Sequence, residues 1–430
     1  MRNQLKIFFS IMLILGAFLA EGAAWAAEKK TVIEYWHPNA EAQGGLVVTE
    51  LVREFNGRSG NVEVRERFIP DMYKGIVQNL QVEAAAGKAP AVVQIGWAFL
   101  DYFSNNFQYS NPQKIIDRYF PGDATFIKDN FLPNITALST NAAGDLAGLP
   151  YSLSSPVLFL NRDILRAAGL PENGPGTWED LKGFAKTIKD KTGKIGFYMQ
   201  EPADSWAQQA LVESAGAKFI VYENGKAKAG FASEDGIKAF ELYADMVQKD
   251  KSALHATWDE GVQAFIDGNI GMLYTTIARR ASIQKSAKFS VSAVNSPAWR
   301  GKKRALPAGG CFLAITARSE EEKKAAWEFV KFLYSVKSVA AWTIGTGYVP
   351  PREGVADSPD GLKTFLAENK MMEAATTQTQ YVVRWAAFPG DAGLQAEQAL
   401  LDMRDEILGG SKPAGKAMIE TQEKINELLK

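Results

Sequence analysis

The sequence predicts an α/β protein with mostly parallel sheets and more than one hydrophobic core. Strand and helix patterns alternate as β-α-β-α-β between Thr31 and Ile95, and the alternation starts again after Asp145. This order is typical of a parallel sheet with right-handed crossovers. At roughly 100–200 residues per domain, the 430 residues of the chain indicate two or three cores.

The first three strands and two helices can be placed from their apolar residues. The strands are 31–36, 62–68 and 91–95, and helical periodicity fills 46–55 and 72–86. In a sheet of this kind, ligands bind at the carboxyl ends of the strands. We therefore expect site residues just after the strands, at Trp36-His37, at Tyr73 and from Gln94 to Trp97.

The second half of the chain repeats the same types of element. Thr177 precedes an amphipathic segment and has Asp180 three residues later, which predicts the N-cap of a helix running to Lys191. Further strands are expected at 156–161, 196–199, 271–275 and 309–316, and further helices at 162–168, 206–214, 234–248, 258–266, 279–287 and 320–334. The tail from Thr364 to Leu429 is expected to be mostly helical.

The N-terminus has the pattern of a secretory signal peptide. Arg2 and Lys6 precede an apolar run at 7–20, and Ala24-Trp25-Ala26 follows it. A positive start, a short apolar core and an A-x-A site describe a cleavable signal, and 14 apolar residues are fewer than the roughly 20 that span a membrane. We expect residues 1–26 to be removed by a cut after Ala26, and the mature chain to lie in the periplasm.

Composition excludes several classes of function. The 48 basic and 49 acidic residues give a net charge of −1, without the positive patch of a nucleic-acid-binding protein. One Cys and two His are too few for a disulfide or a His/Cys-rich zinc site. The common phosphate-loop, dinucleotide and hydrolase motifs are missing from the sequence. We therefore expect no cofactor and no metal.

The tryptophans are the side chains that point to a ligand class. Five of the ten fall at predicted loops or helix starts: Trp97, Trp206, Trp258, Trp299 and Trp385. A flat aromatic ring covers the C–H face of a sugar, while amides, hydroxyls and carboxylates bind its hydroxyl groups. For any single tryptophan, packing in the core or between lobes is the more frequent role.

Several segments together resemble a known family. They are Tyr35-Trp-His37, Ser154-Ser-Pro-Val-Leu-Phe-Leu-Asn-Arg-Asp163, Thr177-Trp-Glu-Asp-Leu181, Gly309-Gly310 and Gly345-Thr-Gly-Tyr-Val-Pro350, in addition to the signal peptide. In this order they are similar to extracellular solute-binding proteins of ATP-binding-cassette importers. The resemblance is to the carbohydrate group, and within it to the members that bind sn-glycerol-3-phosphate, and it covers nearly the whole mature chain.

The resemblance implies a two-lobe periplasmic-binding-protein fold of type II. Each lobe has a mostly parallel sheet flanked by helices, and three segments cross between the lobes. Lobe one would comprise residues 28–150 and 309–350, and lobe two residues 151–308 and 351–430. The family implies a monomer without enzymatic activity, which closes about its hinge on a small carbohydrate ligand and delivers it to the permease subunits of the transporter and their cytoplasmic ATPase.

The resemblance also implies a set of ligand residues. Those at positions matching the family are Tyr73, Ser154 or Ser155, Thr275 or Thr276, Gly310 and Tyr348, and Trp206 falls in a region of ligand-facing tryptophans. Gln94, Trp97 and Arg384 complete the expected set.

Two positions depart from the glycerol phosphate binders. Gln94 replaces an acidic ligand residue, and Phe388 stands where the phosphate-binding arginine is expected, with Arg384 four residues earlier. A buried phosphate needs charge-assisted donors, so we expect a neutral sugar, oligosaccharide or polyol. Two alternatives stay open: sn-glycerol-3-phosphate or a glycerophosphodiester as the ligand, and an extracellular carbohydrate-active enzyme.

Overall fold

The computed structural model describes residues 30–141, 143–202, 204–223, 226–389 and 392–430. The predicted signal peptide, residues 1–26, lies outside the described residues. Within the described part of the chain, every helix is too short or too polar to cross a membrane.

One five-stranded sheet organises the first part of the chain. Its strands are β1 (Thr31–His37), β2 (Val62–Phe68), β3 (Val92–Gly96), β4 (Leu149–Ser154) and β12 (Gly309–Ile315), in the order β2-β1-β3-β12-β4. The predicted parallel arrangement is confirmed for β1, β2 and β3, whereas β12 runs antiparallel to β3 and to β4. A helix that connects two strands of one sheet makes those strands parallel. The chain reaches β12 directly from the second sheet, without such a helix, so β12 is free to run antiparallel.

A second sheet of four strands follows. It contains β5 (Pro156–Asn161), β6 (Ile195–Met199), β9 (Ile270–Thr276) and β10 (Val291–Asn295), in the order β10-β5-β9-β6, and its one parallel pair is β6 with β9. Both faces of this sheet are buried. Leu158 and Leu160 of β5 pack into one apolar cluster, and Val157 and Phe159 pack into another, because successive side chains of a strand point to opposite faces.

Two short ribbons complete the strands. They are β7 (Lys218–Glu223) with β8 (Lys226–Gly230), and β11 (Leu306–Pro307) with β13 (Val382–Val383).

Helices cover the sheets. In chain order they are α1 (Gly45–Arg58), α2 (Met72–Ala85), α3 (Leu100–Asn106), α4 (Pro112–Tyr119), α5 (Phe126–Asn130), α6 (Pro133–Thr136), α7 (Arg162–Ala167), α8 (Trp178–Thr192), α9 (Trp206–Ser214), α10 (Glu234–Gln248), α11 (Trp258–Ile266), α12 (Arg280–Ser286), α13 (Glu320–Leu333), α14 (Val336–Gly345), α15 (Lys363–Glu368), α16 (Glu373–Thr376), α17 (Gly393–Leu408) and α18 (Ala414–Leu428). The mostly helical tail is confirmed by α15 to α18.

Hydroxyl side chains set the starts of several helices. The predicted N-cap at Thr177 is confirmed, since its hydroxyl accepts a hydrogen bond from the Asp180 amide at 3.1 Å. Ser319 caps α13 in the same way, and Glu322 returns a bond to the Ser319 amide. Such reciprocal bonds satisfy amides that have no partner inside the helix.

The chain passes between the two sheets at two short segments that bear on the site. Ser155 alone joins β4 to β5, and residues 296–308 lead from β10 back to β12. The ends of β4 and β9 and the start of β12 therefore lie together where the sheets meet.

Candidate ligand-binding pocket

A pocket with an empty volume of about 310 Å³ lies where the two sheets meet. Its walls come from both sheets and from the first residues of three helices, α2, α9 and α11. The described lining residues are Met72, Tyr73, Ser154, Gln200, Asp204, Trp206, Trp258, Thr276, Gly309, Gly310, Tyr348 and Trp385. Of the expected ligand residues, the structure brings Tyr73, Ser154, Trp206, Gly310 and Tyr348 together here.

Three tryptophans line the pocket: Trp206, Trp258 and Trp385. The rings of Trp206 and Trp385 lie 6.3 Å apart between centroids at an angle of 54°. Trp206 Nε1 donates to the Pro307 carbonyl at 2.9 Å, whereas the buried Trp385 Nε1 has no partner among the described residues. A buried donor without a partner is costly, and this one belongs to a residue that lines the pocket.

Two tyrosines close the side of the pocket formed by the first sheet. The ring of Tyr348 stacks on Trp342 at 5.5 Å and 7°, which fixes its orientation. The Tyr73 hydroxyl is buried beside the Tyr348 hydroxyl and the Cys311 thiol, in a geometry that falls short of a full hydrogen bond, and burial raises its pKa well above the ordinary value. Tyr73 is therefore a neutral hydroxyl with polar neighbours in the protein itself.

The start of β12 contributes backbone in place of side chains. A Cβ on Gly309 would lie 2.8 Å from the Trp206 ring and 2.5 Å from the Ser154 hydroxyl. Gly310 has φ of +110°, and a Cβ there would lie 2.0 Å from the Ser152 carbonyl oxygen. Both glycines let the strand approach the indole and the neighbouring strand closely.

The carboxylate in the pocket is one that sequence reasoning missed. Asp204 is 9% exposed, and its Oδ1 accepts a hydrogen bond from the Trp206 amide at 3.1 Å. Burial raises its pKa to about 6, so the group is mostly ionised at neutral pH. The available signal was an acidic residue directly before a predicted helix start, which is a common pattern among 49 acidic residues.

Gln200 is a second lining residue that the sequence did not indicate. Its Oε1 accepts hydrogen bonds from the Thr275 hydroxyl and from the Thr276 amide. The Thr275 hydroxyl in turn accepts from Trp258 Nε1 at 3.2 Å. Thr275 thus orients the pocket residues Gln200 and Trp258, while its neighbour Thr276 lines the pocket and donates to Ser154 at 2.9 Å.

Other expected residues lie outside the pocket lining. Gln94 is fully buried and donates to the Tyr35 hydroxyl, while its Oε1 accepts from the Cys311 thiol. Trp97 Nε1 donates to the Gly309 carbonyl at 3.2 Å, behind the glycine that faces the ligand space. Ser155 accepts from Gln378 at 3.0 Å in the crossing segment.

The described lining residues include no cationic side chain. Arg384 is exposed and donates to the Thr140 carbonyl at 3.2 Å, while Phe388 packs in the core of the second sheet. Arg279 lies behind the pocket, with its guanidinium carbon 4.2 Å from the centroid of the Trp258 ring and its Nη2 2.6 Å from Asp259.

A cluster of possible metal ligands elsewhere is better explained as an ion-pair network. Ligand atoms of Glu201, His255 and Asp405 lie within 4.8 Å of one another. However, His255 Nδ1 is 2.6 Å from Glu201 Oε2, and Arg404 Nε is 3.9 Å from the same oxygen. Tyr243 donates to the other oxygen of Glu201 at 3.1 Å, so that this carboxylate is already satisfied.

Comparison with known proteins gives relatives that match almost end to end. The sn-glycerol-3-phosphate-binding periplasmic protein UgpB of Escherichia coli K12 is 24% identical over 428 residues, covering 94% of each chain. The structure of UgpB from Mycobacterium tuberculosis in complex with glycerophosphocholine has a TM-score of 0.81 at 20% identity, over 93% of this chain and 98% of that one.

Sugar-binding proteins are structurally similar as well. The GacH receptor of Streptomyces glaucescens has a TM-score of 0.78 at 21% identity, over 94% of this chain and 99% of that one. These structures confirm the two-lobe fold. The family model for bacterial extracellular solute-binding proteins matches residues 50–373, more than half of the sequence, and the chain therefore belongs to that family.

Proposed function

We propose that this protein is the periplasmic binding component of an ATP-binding-cassette importer and that it captures a neutral sugar or polyol for the permease subunits. The family membership and the periplasmic relatives support this role. The proposal includes an exported chain that is cut after Ala26 and acts as a monomer without nucleic acid.

The composition of the pocket carries the choice of ligand. Three indole faces, a buried carboxylate, an amide and several hydroxyls line it, and the described lining lacks a cation. A sugar offers C–H faces to the indoles and hydroxyl donors to Asp204. A phosphate would instead meet a carboxylate without a compensating charge, which is unfavourable in a site of low dielectric.

Capture is proposed to occur by closure of two lobes, residues 28–150 with 309–350 and residues 151–308 with 351–430. The last strand of the first sheet, β4, continues to Ser154, four residues past the proposed boundary at 150, and the pocket lies where the two sheets meet. Closure is favoured by a ligand that binds the closed form more tightly. Small-angle X-ray scattering should show a smaller radius of gyration with ligand than without it, and an unchanged radius at saturation would contradict closure.

A thermal-shift panel of mono- and oligosaccharides and polyols tests the ligand class. A ligand that binds only the folded protein raises its melting temperature, by an amount set by concentration over Kd. The proposal predicts a saturable rise with at least one neutral member of the panel. If no member raises the melting temperature, the proposed class is wrong.

Glycerol phosphates are the second candidate, favoured by the glycerophosphocholine complex of the relative from Mycobacterium tuberculosis. In this chain they would have to bind beside Asp204 without the help of an arginine in the described lining. Calorimetric titration with sn-glycerol-3-phosphate and with glycerophosphocholine separates the candidates. Sugar binding without any response to these two compounds removes the second candidate.

A carbohydrate-active enzyme would need two carboxyl groups roughly 5–9.5 Å apart at the bound sugar. Among the described residues that line the pocket, Asp204 is the single acid. Binding without turnover is therefore the better account, and product analysis after long incubation with the bound saccharide would expose hydrolysis.

A further inference from the structure

A buried glutamate lies directly behind the pocket without lining it. Glu397 is on α17 and is 4% exposed. Its Oε1 accepts a hydrogen bond from the Ser205 amide, and its Oε2 accepts one from the Ser205 hydroxyl at 3.1 Å. Both oxygens of one carboxylate therefore hold one residue.

That residue separates two pocket side chains. Ser205 is 1% exposed and lies between Asp204 and Trp206, the first residue of α9. Its hydroxyl makes no capping bond to the helix, because it donates to Glu397. Instead, the Ser205 amide donates a hydrogen bond to Glu397 and the Trp206 amide donates one to Asp204. Negative charge at a helix N-terminus is favourable.

We propose that Glu397 is a positioning residue of the binding site: by holding Ser205 through two hydrogen bonds, it fixes the orientation of Asp204 and Trp206 toward the ligand. The inference rests on the proposed function only in that the pocket binds a ligand. This role explains why the Glu397 carboxyl is buried although it does not line the pocket.

The charges around Glu397 make its hydrogen bonds with Ser205 sensitive to pH. Burial and, next, the carboxylate of Asp204 raise the pKa of Glu397 to about 7, while the two hydrogen bonds from Ser205 and then Lys74 on α2 oppose the rise. Arg404, farther along α17, favours the charged form of Asp204. An ionised carboxylate makes the stronger pair of hydrogen bonds, so Ser205 is held more firmly above neutral pH than below it.

Hydrogen–deuterium exchange on the ligand-free, full-length protein tests the inference independently of the ligand. Glu397→Leu keeps the volume and removes both acceptors, and we expect amides of residues 205–209 to exchange about tenfold faster than in the wild type. Glu397→Gln keeps one acceptor oxygen without the charge, as in the protonated acid, and its exchange should match the wild type near pH 5.5 and exceed it at pH 8.5. Glu406→Gln, the same change at a partly exposed residue of α17 that pairs with Lys412, serves as the control and should match the wild type at residues 205–209.

Three results would overturn the proposal. They are unchanged exchange at 205–209 in Glu397→Leu, faster exchange spread evenly through α8 and α10, or a ratio between wild type and Glu397→Gln that does not vary with pH. If Glu397→Leu does not fold, Ser205→Ala removes one of the two bonds and should give a smaller rise confined to the same amides. If exchange at residues 205–209 does not rise in Ser205→Ala, the proposal is also wrong. Failure of every ligand in the thermal-shift panel would refute the proposed function and leave this result intact.

Discussion

At the residue scale, Trp206 is the side chain that links the second-sheet wall of the pocket to the start of β12. Its ring lies directly against Gly309, and its Nε1 donates to the Pro307 carbonyl in the segment that connects the sheets. The ring is 2% exposed, so it supports the fold as well as the ligand. Any test must separate these two contributions.

Replacing Trp206 by Leu should weaken ligand affinity at least tenfold, or about 1.4 kcal/mol, because the aromatic face is lost. Trp327→Leu is the matched control, since Trp327 is a fully buried indole of α13 outside the pocket lining. It should lower stability similarly and leave the affinity unchanged. Calorimetry below both melting temperatures measures the difference, and equal affinity loss in the two variants would count against a direct role for Trp206.

Asp204 gives a prediction that distinguishes the two ligand classes. With its pKa at about 6, the carboxyl is roughly nine-tenths protonated at pH 5. A sugar that donates hydroxyls to the carboxylate should therefore bind about tenfold more weakly at pH 5 than at pH 7.5, and Asp204→Asn should flatten this profile. A phosphate ligand should show the opposite trend, because protonation relieves the repulsion.

Sequence reasoning reached part of this site. Tyr73, Ser154, Trp206, Gly310 and Tyr348 were placed by resemblance to the family, and they lie together in the pocket. Asp204 was missed because a single carboxylate carries no spacing pattern. Its proximity to the ligand space depends on how a helix of the second sheet meets a strand of the first.

At the scale of elements, the start of β12 is the most constrained backbone of the site. Gly310→Ala should destabilise the protein by about 2–4 kcal/mol, from a positive φ and a contact with the Ser152 carbonyl. Gly183 in the middle of α8 is the control, because a Cβ there meets nothing within 4 Å. Gly183→Ala should instead stabilise by about 1 kcal/mol, and thermal or denaturant unfolding measures both.

The N-terminus of α9 predicts how stability changes with pH. The pKa values of Asp204 and Glu397 are raised to about 6 and 7 from usual values of 3.8 and 4.5. Global unfolding returns both carboxyls to water and to these usual pKa values, so their contribution to the free energy of unfolding is fully present below about pH 4 and is lost as the pH rises through 6 and 7. The local bonds from Ser205 to Glu397 strengthen over the same range, because they favour the ionised carboxylate. The free energy of unfolding of an Asp204→Asn/Glu397→Gln double variant, relative to the wild type, should therefore increase between pH 5 and pH 8 by on the order of 2 kcal/mol. A constant difference in melting temperature across this range would contradict the assignment.

Elements themselves were largely predictable from local patterns. Helix starts such as Thr177 and Ser319 are specified by nearby hydrogen bonds. The direction of β12 was not predictable in this way, because strand pairing depends on how the chain crosses between the sheets.

At the scale of the whole molecule, the two sheets meet at the pocket and are joined there by short segments. Ser155 and residues 296–308 connect them, and Ser154 and Thr276 form a hydrogen bond between the sheets at 2.9 Å. A ligand that contacts both walls therefore gains affinity when the lobes close, which is the proposed basis of capture.

The central claim is that a neutral saccharide or polyol binds in this pocket. The most direct test is a crystal structure of the protein with the panel compound that gives the largest thermal shift. We expect a ring or polyol chain against Trp206, with a hydroxyl donating to Asp204 and the Gly309-Gly310 backbone within contact distance. A ligand bound elsewhere, or a phosphate held in this pocket by a repositioned Arg279 or Arg384, would contradict it.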